Sequence, residues 1–327
     1  MILGIEIGGT KLQLGVGSGD DAQFEAFERY DVIPEQGAEG ILQQIRDSAQ
    51  GLMQRFDIQR VGFGFGGPVD GTTGRVITSH QIDGWTGLPL LDWVQEHLNV
   101  PAVLGNDCDC GALAEARYGS GKGHRTVFYI TVGTGVGGGL VVDGRVHGTD
   151  RPAAAEIGHL RPGLVADDPH ATVESVASGW GMAATGRASL SNAPERSQDR
   201  LFPFGRPVLN EVDRRDLLER CGENPGSLTT VMIGAAAAAG NRGARAILRT
   251  GTDTLGWAIA QMMSLVAPDV VVVGGGVSLL GGELFLDPIH SAVSRYLFPP
   301  LEGAFRLASP QLGEEVVVHG AIALGRQ

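Results

Sequence analysis

Apolar residues alternate with other types from Ile2 to Gly17, and the alternation breaks once, at Gly8-Gly9-Thr10. Two short strands joined by a tight glycine turn, a β-hairpin, account for this pattern. The period then lengthens. Ile41, Ile45, Ala49, Leu52 and Phe56 recur at spacings of three and four, which predicts an amphipathic helix over Gly40–Phe56. A strand at Arg60–Phe65 runs into Gly66-Gly67-Pro68, and a helix is expected over Leu90–Leu98. A short buried strand follows at Ala102–Leu104, then Asn106-Asp107 and a helical stretch over Cys108–Tyr118. Strands that alternate with helices favour a mixed or parallel sheet, and so an α/β chain.

Gly119–His124 is glycine-rich and reads as a linker, with Lys122 on its surface. Immediately after it, Val127–Val142 repeats the opening: apolar strand, glycine turn, apolar strand. Ile5–Thr10 and Ile130–Gly135 share this grammar at an offset of about 125 residues, too long for a solenoid period and suited to two similar halves. The second half continues with helical stretches around Val173–Leu190 and Gly234–Leu265. The strand Val270–Val273 then precedes Gly274-Gly275-Gly276, a helix is expected near Pro288–Leu297, and an apolar strand-then-helix runs from Val316 to Leu324. Segment 191–226 is rich in Pro, Arg and Asp and carries no clear period.

The 327 residues exceed the usual single-domain size, which agrees with two domains. With 43% hydrophobic and 19% charged residues the chain has material for sizeable cores, and global disorder is excluded. Lys+Arg 25 against Asp+Glu 37 gives a net charge of −12, and no basic run exceeds two residues, so a nucleic-acid partner is not expected. The longest apolar runs, such as Val231–Ala239, fall short of the roughly 18 residues needed to span a bilayer. The first residues show a strand pattern with an acid at position 6 and no basic segment, unlike a secretory signal, so a cytoplasmic location is expected. Cys108, Cys110 and Cys221 are too few for a disulfide framework, and Cys108-x-Cys110 reads as buried thiols rather than a metal clip.

Gly 51 is about twice average usage, and the glycines cluster after strands, where consecutive backbone N–H groups can form an anion nest. One such turn is ordinarily just a hairpin; three together suggest a nucleotide. Ala116 and Gly123 occupy positions that a Walker P-loop around Lys122 would give to glycine and a hydroxyl residue, which excludes that motif. Both Gly133–Gly138 and Gly62–Gly67 match G-x-G-x-x-G, but the first is followed by the strand Leu140–Val142 rather than by the helix of a dinucleotide fold. The H-R-D and D-F-G motifs of protein kinases are absent. Asp107 has two readings from spacing alone: a helix N-cap, or a carboxylate placed to take a proton from a hydroxyl.

Taken in order, these motifs resemble the ROK sugar kinases of the actin/hexokinase superfamily over nearly the whole chain. Glu6-Ile-Gly-Gly-Thr-Lys11 resembles the first phosphate turn and Gly133–Gly139 the second. Gly66-Gly67-Pro68 and Gly84-Trp85 resemble the sugar-side loops, and Asn106-Asp107 the acid-bearing turn. Glu156–His159 and Glu174–Gly179 resemble the sugar-binding segment, and Pro268–Val277 the strand and glycine turn beside the adenosine. The resemblance implies two RNase-H-like (actin-like ATPase) α/β domains with an interdomain cleft for ATP and sugar. These would be residues 1–118, completed by a C-terminal helix at about 316–327, and residues 119–315. It implies ATP and Mg²⁺ as the phosphate donor, a small-molecule sugar as partner, and a homodimer.

By the same resemblance Asp107 is the catalytic base, with Gly67, Gln81, Asn106, Asp107, Glu156, His159 and Glu174 around the sugar. Gly8, Gly9, Thr10, Lys11, Gly133, Thr134, Gly135, Gly274, Gly275 and Gly276 fall around the nucleotide, and Glu6 falls on the Mg²⁺ side. The chain departs from the family at three places. Glu6 replaces an aspartate and Gln81 an asparagine. Val165, Asp167 and Thr172 stand where the family's zinc cysteines would be, so no zinc site is expected. The activity implied is transfer of phosphate from ATP to a hexose 6-hydroxyl, with glucose as first substrate and N-acetylhexosamines or fructose as alternatives. A catalytically weak sugar sensor on the same fold is the competing reading.

Overall fold

The computed structural model describes residues 1–79, 82–151, 153–162, 168, 170–191 and 206–327. The expected hairpin opens it: β1 (Ile2–Ile7) pairs antiparallel with β2 (Lys11–Gly17), setting Gly4 opposite Gly15 and Glu6 opposite Gln13. β3 (Ala26–Asp31) extends the antiparallel edge, and after helix α1 (Gly37–Met53) strand β4 (Arg60–Phe65) returns parallel to β1. A short ribbon, β5 (Val69–Asp70) with β6 (Arg75–Val76), and helix α2 (Leu90–Leu98) lead to β7 (Ala102–Asn106), parallel to β4, and to α3 (Asp107–Tyr118). The strand order is β3-β2-β1-β4-β7.

A second set follows: β8 (Thr126–Val132), β9 (Val136–Val142) and β10 (Arg145–Val146). After these come helices α4 (Glu174–Ala177), α5 (Gly179–Ser191), α6 (Glu211–Arg220), α7 (Thr230–Ala238) and α8 (Arg242–Val266). β11 (Val270–Gly274), α9 (Asp287–Tyr296), β12 (Arg306–Ala308) and α10 (Val316–Arg326) complete the chain. Its sheet runs β10-β9-β8-β11-β12, the same order as the first when strands are matched in sequence. The internal repeat in the glycine turns is therefore a repeat of the sheet.

Two sequence expectations are corrected. The apolar stretch 234–265 is two helices, because Gly240 at φ +96° breaks it and Asn241 caps α8 by accepting from the Ala244 N–H at 2.8 Å. Residues 316–324 hold no strand. Val316–Val318 carry β-branched side chains, but their burial against a sheet keeps them helical, and the strand lies upstream at Arg306–Ala308.

The chain forms two compact units: Met1–Tyr129 with Gly138–Ala155 and Pro310–Gln327, and Ile130–Gly137 with Glu156–Ser309. The sequence put the division at 118/119, beside the glycine-rich turn. That turn is instead fastened to α3 through Glu115, which is fully buried. Its backbone carbonyl accepts from Gly119 and Gly121, and its carboxylate accepts from Ser120 at 2.7 Å and from Gln311 and Leu312 at 2.9 and 3.1 Å. In the second unit α8 packs against α4, α5, α7 and α9, with Gly256 giving α9 room: a Cβ there would lie 2.4 Å from the Ala292 Cβ. Among the described residues, no helix is long and apolar enough to cross a membrane.

What distinguishes the first sheet is one face made of glycine. Gly4 stands beside Gly15 and Gly62 in register, and Gly64 beside Gly105. Helix α10 lies on this floor. A Cβ at Gly62 would meet the Ala321 carbonyl oxygen at 1.9 Å, one at Gly4 the Val318 oxygen at 2.6 Å, and one on Gly320 of the helix the Cys110 oxygen of α3 at 1.9 Å. The opposite face carries Leu3, Ile5, Leu12, Leu14, Val61, Phe63 and Phe65, packed with residues of α1 and α2. The G-F-G-F alternation of β4 thus serves two faces of one strand, and its match to a nucleotide loop is incidental. Gly62→Ala forces its methyl into backbone that cannot rotate away and should cost about 2–3 kcal/mol. Gly51→Ala, near the end of α1 where an added Cβ meets nothing within 4 Å, should gain up to about 1 kcal/mol. Urea denaturation of both variants checks the contrast.

Candidate active site

The register sets Ile7 beside Phe65 and Phe65 beside Asn106, so the parallel strands β1, β4 and β7 end at a common edge. Beyond it lie Gly8-Gly9-Thr10, Gly66-Gly67 and Asn106-Asp107. Open α/β sheets offer their ligand crevices at such carboxyl ends. The Gly8 N–H donates to the Lys11 carbonyl at 3.0 Å and closes the first turn, while the Thr10 carbonyl takes the Val32 N–H at 3.0 Å. Gly66 donates to the Ile7 carbonyl at 2.9 Å, which draws the second turn onto the first.

Asn106 is the N-cap of α3, with its Oδ1 accepting from the Cys108 N–H at 2.8 Å. Its amide nitrogen donates to the Gly67 carbonyl at 3.0 Å and ties the glycine turn to the helix. Asp107 begins the helix. Its Oδ1 also accepts from Cys108 at 2.8 Å, and Oδ2 lies 3.7 Å from where a Cβ on Gly66 would stand. The capping role is therefore filled by Asn106, and one Asp107 oxygen points toward the glycine turns. Burial raises the Asp107 pKa above its ordinary value, against the hydrogen bonds from Cys108.

Glu6, the last side chain of β1 on the glycine face, is almost fully buried. Its Oε1 stands 3.5 Å from Lys11 Nζ, and its Oε2 has no hydrogen-bond partner. Burial pushes its carboxyl up to about 7; Lys11 pulls it down, and the Asp107 carboxylate pushes it further up. Glu6 therefore lies within electrostatic reach of Asp107. Lys11 also donates to the Glu314 carbonyl at 3.1 Å, and Arg29 pairs with the Glu314 carboxylate at 2.8 Å. Arg29 and Glu314 are neighbours of the site that the sequence did not single out, since neither lies in a glycine motif. Behind the edge, Trp85 is buried edge-on to Phe65, ring centroids 5.1 Å apart.

The second unit carries its own turn. Gly133 donates to the Gly135 carbonyl at 2.9 Å and accepts from the Gly179 N–H at 2.8 Å, while Thr134 between them is exposed. Glu174 Oε2 accepts from the Val136 N–H at 2.9 Å, so this carboxylate holds the turn itself. Glu156 precedes the helical turn Ile157–His159, where Gly158 rests on Val136: a Cβ at Gly158 would sit 2.0 Å from the Val136 oxygen. His159 is exposed. Gly274 ends β11; Gly275, at φ +88°, abuts Val132, with 2.5 Å from a would-be Cβ to the backbone nitrogen. A Cβ on Gly133 or Gly276 would meet nothing within 4 Å, so the backbone is bare at these two positions. Gln81, Val165 and Asp167 lie outside the described residues.

Mg²⁺ binds through one or two carboxylates and completes its shell with water and phosphate oxygens. Glu6, with an unpartnered oxygen and Asp107 in electrostatic reach, offers a donor set of that kind. Among the described residues there is no cluster of three His, Cys, Asp or Glu side chains that could enclose a metal without a substrate.

The ROK family model matches residues 2–327. A glucokinase of Streptomyces coelicolor is 31% identical over 332 aligned positions, which cover 100% of this chain and 98% of that protein. The crystal structure of a ROK family glucokinase from Streptomyces griseus in complex with glucose and AMPPNP superposes with a TM-score of 0.78 at 30% identity, covering 100% of this chain and 99% of that one. A ROK hexokinase from Thermus thermophilus gives 0.77 at 25% identity, covering 99% and 97%. The α/β fold is that of these ROK enzymes, the actin-like ATPase fold, and the chain belongs to the ROK family.

Proposed function

We propose that this protein is a sugar kinase that transfers the γ-phosphoryl group of ATP to the 6-hydroxyl of a hexose, with glucose as first substrate. The observation that carries the reading is the half-buried Asp107 carboxylate at the shared edge of β1, β4 and β7, with one oxygen turned toward the Gly66 turn. The glucokinase relatives and the glucose and AMPPNP bound to the Streptomyces griseus enzyme support it.

In this reading Asp107 accepts the proton of the 6-hydroxyl as its oxygen attacks the γ-phosphorus in line; the bond to the β–γ bridging oxygen breaks and ADP leaves. A base whose pKa burial has raised is better matched to that proton than an ordinary aspartate. Asn106 caps α3 and so fixes the direction of Asp107, and through Gly67 it also fixes the turn facing the sugar. Gly8, Gly9, Thr10, Lys11, Gly133, Thr134, Gly135 and Gly274–Gly276 serve the nucleotide, and Lys11 is held to Glu6 and Glu314. Glu156 and His159 serve sugar hydroxyls, and a bound sugar that covers them with the wrong epimer leaves a polar group unpaired. Glu174 acts through the turn it holds. Glu6 would hold the magnesium of Mg-ATP, which when bound supplies charge neutralisation to the phosphates.

ADP release with Mg-ATP over glucose, N-acetylglucosamine, N-acetylmannosamine, mannose, fructose and allose tests the reading. Sugar-dependent release supports it and names the substrate; sugar binding without release would favour a sensor. Asp107→Asn should lower kcat by about 10²–10⁴ and leave sugar affinity nearly unchanged.

Glu6 yields a separate prediction for the protein without divalent metal. Its carboxyl is raised from 4.5 to about 7 in the folded state, so between those values the native state binds more protons than the unfolded chain. The stability it contributes is present at low pH and is lost as pH rises through about 7. Glu6→Gln removes that loss, so from pH 4 to pH 8 the variant should gain about 2–3 kcal/mol on the wild type. Urea denaturation at the two pH values checks this, and a pH-independent difference would contradict it.

A further inference from the structure

Three described side chains bury a polar atom that has no hydrogen-bond partner: Glu6, Gln13 and Ser189. Two of them are neighbours. Glu6 and Gln13 face each other across the β1–β2 ladder, and directly opposed residues of an antiparallel pair project to the same face. That face is the glycine floor, since Gly4 and Gly15 lie two residues back on the same strands. Gln13 is 0% exposed with both Oε1 and Nε2 unpartnered, and Glu6 is 7% exposed with Oε2 unpartnered. Helix α10 covers the row: Val317 lies over Gly64, the parallel neighbour of Glu6, with 2.4 Å from its Cγ1 to a would-be Cβ. Lys11 occupies the other Glu6 oxygen.

A buried amide with neither polar atom satisfied is costly, and an apolar side chain of the same volume would be more stable there. Its neighbour supplies the missing half of the bond. A carboxylate oxygen accepts and an amide nitrogen donates, and directly opposed residues of an antiparallel pair have Cβ atoms only about 4.5–5.5 Å apart, within reach of two long side chains. With Lys11 on Oε1 and Gln13 on Oε2, both oxygens of Glu6 would be fixed at the end of β1, beside Gly8.

We propose that Gln13 is a positioning residue for the reaction: in the working enzyme its amide donates to Glu6 Oε2 and holds that carboxylate toward the phosphates of Mg-ATP. The inference rests on the kinase reading and adds to it a residue outside every glycine motif. Its consequence is selective. Gln13 acts on the nucleotide side through Glu6 and leaves the sugar side alone, whereas a general packing defect would disturb both.

The test compares wild type, Gln13→Met, Gln13→Leu, Glu6→Gln and Glu6→Gln combined with Gln13→Met. Thermal unfolding, steady-state kinetics and calorimetric binding of Mg-AMPPNP are measured for each. Gln13→Met should unfold at or above the wild-type temperature, because it removes two unpartnered atoms. It should still lower kcat/KM for Mg-ATP and the affinity for Mg-AMPPNP by about tenfold, the scale of one hydrogen bond to a charged group. The sugar KM should stay within about twofold, and the loss should vanish in the Glu6→Gln background, as coupled neighbours require. Gln13→Leu repeats the comparison should the methionine pack poorly.

Unchanged nucleotide kinetics and binding in Gln13→Met, or the same loss with Glu6 already replaced, would overturn the inference and leave the kinase reading intact. A wild type that binds sugar but releases no ADP would overturn the kinase reading, and this inference with it.

Discussion

Backbone contact between helix α10 and the first sheet is the constraint on which the rest depends. Ala321 and Val318 carbonyls come so near β4 and β1 that no side chain larger than a hydrogen fits at Gly62 or Gly4, and Gly320 meets α3 equally closely. The last element of the chain thus locks to the first strand and to the helix that carries Asp107. The packing is long-range in sequence, joining the first strands to a helix some 260 residues or more later. Glu115 reinforces the arrangement by binding Gln311 and Leu312, just ahead of α10, with the same carboxylate that holds Ser120.

The electrostatics of the edge follow from that floor. A glycine face covered by an apolar helix is a poor place for a carboxylate, yet Glu6 projects into it and is driven up to about 7. Asp107, at the start of α3, is raised as well, by its own burial. Two acids made reluctant to ionise at one sheet edge favour the arrival of positive charge or of a proton. A phosphoryl transfer from Mg-ATP to a hydroxyl brings both. The site can be charged cheaply only when its ligands are present.

Much of this was legible in the sequence. Alternation gave the hairpin, the three-and-four spacing gave α1, and the recurrence of strand-into-glycine-turn at about 125 residues matched the repeated strand order of the two sheets. The ordered motifs led to the ROK family, to which the chain belongs. What failed did so for physical reasons. Val316–Val318 are strand-like residues held in a helix by tertiary burial. Gly119–His124 is a linker by composition and a capped helix end by hydrogen bonding. Gly62 and Gly64 imitate a nucleotide loop because a helix needs the same lack of Cβ that a phosphate does. Gln13 escaped notice because a polar residue in an alternating strand reads as solvent-facing, and nothing local says that a helix some 300 residues later will cover it.

The most direct measurement is a crystal structure of the protein with glucose and Mg-AMPPNP bound together. The account predicts the sugar 6-hydroxyl within hydrogen-bond distance of the Asp107 carboxylate, with the phosphates against the glycine turns and Glu6 on the metal side. A sugar whose hydroxyls all lie away from Asp107, with the nucleotide seated elsewhere, would contradict it.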